Sequence, residues 1–245
     1  MARPMSPRRY SLHSEEVSVT LMQDPALERL LAGLHARSDA QIAMLRELEA
    51  RRAGPNPPDK HELKQLLSDK FVALDRDKAN FCYQLCRATQ ARRIVEVGTS
   101  YGVSTLYLAA AVRDNVRAGG GHGIVIGTEY EPRKAEAARA NFAQAGLADH
   151  IELREGDLRE TLRTVEGPVD FLLVDIWVSM ARPALELVAP RLRPGGVVVC
   201  DNTELHRSDY ADYFAFLNDP ANGFATMTLP FQGGLEFSVR QARRG

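Results

Sequence analysis

The sequence has no long apolar run. Even Val103–Val112 carries Ser and Thr and falls short of the ~18 residues that cross a membrane, so no membrane span is predicted. Cysteine is scarce: Cys82, Cys86 and Cys200 are the only three in 245 residues, too few for a disulfide framework and without a partner cluster for zinc. Cys82 and Cys86 stand one helical turn apart and read as small core residues in a reducing cytoplasm rather than a redox pair. Charge of one sign is also missing: 31 Lys and Arg against 32 Asp and Glu leave a formal charge of −1, so no global field recruits nucleic acid or an anionic membrane. Arg3, Arg8 and Arg9 are not followed by an apolar segment, and Glu15 and Glu16 come early. Neither a secretory signal nor a transit peptide is expected, which points to the cytoplasm. Internal repeats and low-complexity tracts are absent.

What is there is an ordinary globular composition, 44% hydrophobic and 26% charged, in a length that suits one α/β domain plus an extension. Residues 1–23 are aperiodic. Asp24-Pro25 reads as an N-cap with proline at the first helical position, followed by Leu27, Leu30, Leu31 and Leu34 on one face. Ser38-Asp-Ala-Gln41 reads as a capping box for Ile42, Leu45 and Leu48, and Gly54-Pro55-Asn56-Pro57-Pro58 ends any helix. Residues 1–58 are therefore a tail and helical extension with a Pro-rich linker, expected to pack on the domain or to make a homodimer contact, with a lid over the site as a third reading. The domain proper spans 59–245.

Helical spacing covers roughly 62–90, after which strand and helix alternate. The predicted strands are 93–97, 123–128, 151–154, 169–174 and 196–200, with helices at 104–112, 132–145, 182–191 and 210–217 between and after them. Two further β segments, 225–229 and 235–240, are joined only by Pro-Phe-Gln-Gly-Gly, too short for a parallel crossover. The expected fold is α/β: a doubly wound, mostly parallel seven-stranded sheet ending in an antiparallel hairpin.

Ligands of such sheets sit beyond the carboxyl ends of the strands. The first strand ends in Glu96-Val-Gly98-Thr99-Ser100-Tyr-Gly102, which lacks the G-x-G-x-x-G of a dinucleotide turn. A pyrophosphate would be poorly served by Glu96, whereas a cationic ligand without phosphates would not; the motif also reads as a plain tight turn. The second strand ends at Glu129, whose carboxylate can accept from both hydroxyls of a ribose, or simply be solvated. Asp157 follows the third strand, as an acceptor for an adenine amino group or as a helix N-cap. The fourth and fifth strands end in Asp175-Ile-Trp177 and Asp201-Asn202-Thr203. If these strands are neighbours, Asp175, Asp201 and Asn202 converge as three hard oxygen ligands for a divalent cation of the Mg²⁺ or Ca²⁺ type, the alternative being simple helix caps.

Residues from about 60 to 240 resemble the class I S-adenosylmethionine-dependent methyltransferases, and within them the cation-dependent O-methyltransferases of the catechol and caffeoyl-CoA type. The resemblance is carried by 94–105, Glu129 with Pro132, 141–147, 155–157, 175–177 and 195–203. It implies a Rossmann-like methyltransferase fold that binds S-adenosylmethionine through Glu96, Gly98, Thr99, Ser100, Gly102, Ser104, Glu129, Tyr130, Asp157, Asp175 and Trp177. It also implies a divalent cation, Mg²⁺ first, on Asp175, Asp201 and Asn202, and a small-molecule acceptor such as a vicinal diol. One departure stands out: the family usually carries a lysine base three residues after the first metal Asp, where this chain has Val178. The metal alone could acidify the hydroxyl, or His206 could act as base, with Asp175 as the other candidate catalytic group. A metal-independent small-molecule methyltransferase and a non-catalytic S-adenosylmethionine-binding or assembly protein stand as the alternatives.

Overall fold

The structure, a computed structural model, describes residues 22–242 except 53, 60, 61, 63–65 and 206. Helices α1 (Pro25–Asp39), α2 (Ile42–Arg52) and α3 (Arg76–Ala88) come first. Strand and helix then alternate through β1 (Arg93–Val97), α4 (Val103–Gly119), β2 (Ile124–Glu129), α5 (Pro132–Gln144) and β3 (Ile151–Glu155). The order continues with α6 (Leu158–Thr161), β4 (Val169–Val174), α7 (Val178–Val188), β5 (Leu192–Asp201) and α8 (Ala211–Asn218), and closes with β6 (Phe224–Leu229) and β7 (Leu235–Arg240).

The seven strands form one sheet in the order β3-β2-β1-β4-β5-β7-β6. Strands β1 to β5 run parallel, and β7 lies antiparallel to both β5 and β6, so the short Pro-Phe-Gln-Gly-Gly connection makes a hairpin as its length requires. Alternate strand residues face opposite layers. Ile94, Phe171, Leu173, Val197 and Val199 join one core with residues of α1, α3 and α4. Val95, Val97, Leu172, Val174, Val198 and Cys200 join the other, with residues of α7 and α8. Cys82 and Cys86 are free and buried in the first core, as expected of small apolar residues. Strand order reverses between β1 and β4, which opens a crevice above their carboxyl ends.

Helix α1 starts as its sequence dictates, with the Asp24 carboxylate accepting from the Leu27 N–H at 3.1 Å and Pro25 in the first turn. Its leucines 27, 31 and 34 enter the same core as Tyr107, Leu108 and Ala111 of α4, and Asp24 pairs with Arg113 of α4 at 2.7 Å. The apolar stripe of α1 is thus spent on its own chain. Among the described residues no helix is long and apolar enough to cross a membrane.

Three expectations change. Ser38 and Gln41 do not form a capping box: Ser38 Oγ accepts from the Ala73 N–H at 3.2 Å and Gln41 Oε1 from the Phe71 N–H at 3.1 Å. Residues 70–75 are irregular rather than helical, so their backbone donors need such partners. Strand β5 also begins at Leu192, before Pro194-Gly195; a register irregularity between Val169 and Phe171 absorbs those two poor strand formers.

Candidate functional site at the strand ends

The β1 turn is built for close approach. Gly98 has φ +97°, and a Cβ there would lie 2.0 Å from the Asp175 carbonyl oxygen at the end of β4. The Asp175 N–H donates to the Val97 carbonyl at 3.0 Å, which locks the two strand ends together. Gly102, at φ +81°, presses on α5: a Cβ would meet the Phe142 ring at 2.3 Å, and the Asn141 amide donates to the Tyr101 carbonyl at 2.9 Å. Under this turn Glu96 is fully buried. Its Oε2 accepts from Thr99 Oγ1 at 2.9 Å and from Thr105 Oγ1, while Oε1 has no partner among the described residues. Burial pushes the Glu96 carboxyl up, against the hydroxyls of Thr105, Ser104 and Thr99, which favour its charge. An anionic group with one spare oxygen below a glycine turn suits a cationic ligand.

Glu129, at the end of β2, is held by two backbone donors: Ser100 N–H to Oε2 at 2.7 Å and Glu131 N–H to Oε1 at 2.8 Å. Each oxygen keeps a lone pair for a further donor, so the carboxylate is aimed before any ligand arrives. Ser100 reaches it from a left-handed backbone at φ +50°. Tyr130 beside it is exposed. Asp157 caps the short helix α6 through the Arg159 N–H at 2.9 Å and pairs with the Arg159 guanidinium, which is the capping role its position allowed.

Strands β4 and β5 are neighbours, so Asp175 and Asp201-Asn202 do converge. The Asp175 carboxylate is pushed up to about 8, first by burial, then by the charges of Asp201 and Glu96. Asp201 is also held above the usual carboxylate range, because burial outweighs the help of Lys78. Its Oδ1 accepts from Lys78 Nζ at 2.6 Å and from the Asn202 N–H at 2.8 Å, and its Oδ2 from Asn202 Nδ2 at 3.0 Å. The loop after β5 is pinned to the β6–β7 turn, where the Asn202 N–H donates to the Gly234 carbonyl at 3.1 Å. Trp177 precedes α7 and is 39% exposed. Val178 packs against the second core and makes an apolar contact there. His206 lies outside the described residues.

Lys78 was not foreseen from the sequence. It sits in the first turn of α3, 1% exposed, with Asp75 Oδ2 at 3.2 Å as its second partner. Burial opposes its charge, but Asp201 and Asp75 more than compensate and hold the ammonium above the ordinary lysine value. A signal existed: Lys78, Cys82 and Cys86 follow i, i+4, i+8 on the apolar face of α3, and a lysine on such a face needs a buried acid.

The N-terminal extension is linked to the same turn through residues 69–73. Phe71 stacks on Tyr101 with ring centroids 4.3 Å apart, the Arg37 guanidinium of α1 lies 4.6 Å from the Phe71 centroid, and the Tyr101 hydroxyl donates to the Asp69 carbonyl at 3.1 Å. Segment 69–75 therefore bridges the extension and the glycine turn.

This sheet order is the Rossmann-like fold of the methyltransferase structures on which the chain superposes, and residues 95–203 match the family model of a methyltransferase domain. The chain is similar in sequence to curated O-methyltransferases over part of its length. It is 35% identical over 150 residues to a catechol O-methyltransferase of Mycobacterium tuberculosis (59% of this chain, 65% of the relative). It is 30% identical over 135 residues to one of Niastella koreensis (54% of this chain, 58% of the relative). The matched stretch thus spans a little under two thirds of the length of these curated relatives. Among solved structures, cofactor-bound Rv0187 from MTB superposes with a TM-score of 0.65 at 25% identity, covering 87% of this chain and 91% of that one. The O-methyltransferase from Bacillus cereus in complex with SAH superposes at 0.63 and 20% identity, covering 79% of this chain and 96% of that one, a likeness of fold.

Proposed function

We propose that this protein transfers the methyl group of S-adenosylmethionine to a hydroxyl of a small-molecule acceptor, a catechol-like or other vicinal diol, with a divalent cation, Mg²⁺ first, on Asp175, Asp201 and Asn202. The observation that carries the reading is the arrangement of neighbouring strand ends: a spare buried oxygen on Glu96, a preset carboxylate on Glu129, and a crowded acidic pair on Asp175 and Asp201. The donor chemistry fits both groups. The cofactor is a sulfonium cation with a ribose, and Asp175 is a carboxylate that accepts no hydrogen bond among the described residues while other carboxylates raise it. When bound, S-adenosylmethionine supplies an electrophilic methyl, and a hard cation acidifies a hydroxyl that it coordinates.

The chain's own residues do the rest. Glu129 accepts from the ribose hydroxyls, and the turn from Gly98 to Gly102, with Thr99, Ser100 and Ser104, fixes the methionine portion over Glu96. Tyr130 and Asp157 border the adenosine, with Asp157 also serving as cap. Trp177 walls the side facing the acceptor. Holding both reactants in line removes the entropic cost of their encounter. Val178 accepts no proton, so the hydroxyl proton leaves to a group elsewhere, with Asp175 beside it and His206 the imidazole nearest in sequence to the Asp201-Asn202 turn.

Methyl transfer to a panel of vicinal diols, assayed with Mg²⁺ and then with chelator, tests this. Loss of transfer in chelator is expected; activity indifferent to the ion refutes the metal part. One observation favours a second reading, metal-independent transfer: the Lys78 ammonium already rests on Asp201. Its signature is full activity in chelator with Asp201→Ala tolerated.

A further inference from the structure

Lys78 is a costly residue where it stands. Its ammonium is almost fully out of water, in the first turn of α3, where the helix dipole disfavours a positive charge. Two acids repay that cost, Asp201 on β5 at 2.6 Å and Asp75 at the start of α3 at 3.2 Å. Among the described residues, the titratable groups that act on these strand ends are Asp175 and Asp201, Glu96 beneath the glycine turn, Asp75 at the start of α3, and Lys78 as their cation. That cation occupies Asp201 Oδ1, the oxygen that also receives the Asn202 N–H. The remaining oxygen, Oδ2, is covered by Asn202 Nδ2, so a cation that uses both residues must turn the Asn202 amide over.

We infer that Lys78 is the resident counter-cation of this acidic pocket, competing with a divalent ion for Asp201 and so keeping that ion weakly and reversibly held. The inference rests on the reading of Asp175, Asp201 and Asn202 as a divalent-ion site. Lys78 is a positioning residue here: it acts through Asp201, fixing that carboxylate in one orientation and offsetting its negative charge. Without it the same two acids attract a dication more strongly, and nothing else among the described residues neutralises Asp201.

The test compares the full chain with Lys78→Met and Lys78→Gln, the second keeping a hydrogen bond to Asp201 without the charge. Free Mn²⁺ is followed by electron paramagnetic resonance as protein is added, and melting is recorded in chelator and in Mn²⁺. Both variants are expected to bind Mn²⁺ at least tenfold more tightly than wild type, to melt lower in chelator, and to regain that loss in Mn²⁺. Binding by the variants alone, with none by wild type, supports the inference while removing the metal from the wild-type function. Wild-type binding that the variants match or fall below overturns it and leaves the metal reading standing. No binding by any of the three overturns both.

Discussion

The contact between Gly98 and Asp175 predicts opposite outcomes for one substitution at two glycines. In Gly98→Ala the new Cβ falls 2.0 Å from the Asp175 carbonyl oxygen, where real Cβ atoms essentially never come closer than 3.0 Å, so the ends of β1 and β4 must separate by about 1 Å. Neither partner is a side chain that can swing away. The backbone at φ +97° adds roughly 1–3 kcal/mol of strain for an alanine, and weakening the 3.0 Å bond from the Asp175 N–H to Val97 costs about 1 kcal/mol more. The sum, about 2–4 kcal/mol, lowers the melting temperature by roughly 5–15 °C in a chain of this size. The same displacement moves the glycine turn away from Asp175, so adenosylhomocysteine binding should weaken by more than tenfold. Gly33 in α1 has no atom within 4 Å of its Cβ position, and Gly33→Ala should therefore stabilise the protein by about 0.5–1 kcal/mol. Calorimetric melting and titration with adenosylhomocysteine check both. A Gly98→Ala protein with wild-type melting and affinity refutes the close approach and the account of the turn built on it.

Three further outcomes are expected. Glu129→Ala removes the acceptor preset by Ser100 and Glu131, and should weaken adenosylhomocysteine binding by roughly tenfold to a hundredfold, the worth of hydrogen bonds to a charged group; unchanged affinity by titration removes the ribose role. Phe71→Ala deletes a buried ring and its stack on Tyr101, at a cost of about 3–5 kcal/mol in urea unfolding, and should raise the dissociation constant of the cofactor product as the glycine turn loses its brace. Burial, then Arg76, holds the His35 imidazole below its usual 6.5, so the unfolded chain binds that proton first. Its stabilisation is present at neutral pH and is lost as pH falls from about 6.5; urea midpoints measured from pH 7 to 5 should fall less steeply in His35→Gln.

How far the sequence could be read depended on whether a residue's partners lay nearby. The hairpin of β6 and β7 was legible because its connection is too short for any crossover, and the Asp24 cap because its donor is three residues away. The places of Glu129 and of the turn from Gly98 to Gly102 at the strand ends were legible because the β-forming run stops there, at an acid and at a glycine. Asp157 left two readings open, and its capping bond is the one present. Ser38 and Gln41 looked like a local box because the pattern matches; nothing local reveals that Phe71 and Ala73, 30 and 35 residues from their partners, leave open backbone donors. Lys78 was hidden for the same reason, since Asp201 lies 123 positions away. The α1 leucines predicted a buried face but not its partner, and only the packing against α4 assigns that face to this chain's own core.

The central claim is methyl transfer to oxygen. Its most direct measurement is incubation of the full chain, with Mg²⁺, a vicinal diol and S-adenosylmethionine carrying a trideuteromethyl group, followed by mass spectrometry and NMR of the acceptor. The account predicts a deuterated methyl ether on one of the two vicinal oxygens, formed roughly tenfold or more slowly with Glu129→Ala under limiting cofactor. Label that stays on the cofactor across the panel, although adenosylhomocysteine binds tightly, contradicts it and leaves a binding protein in its place.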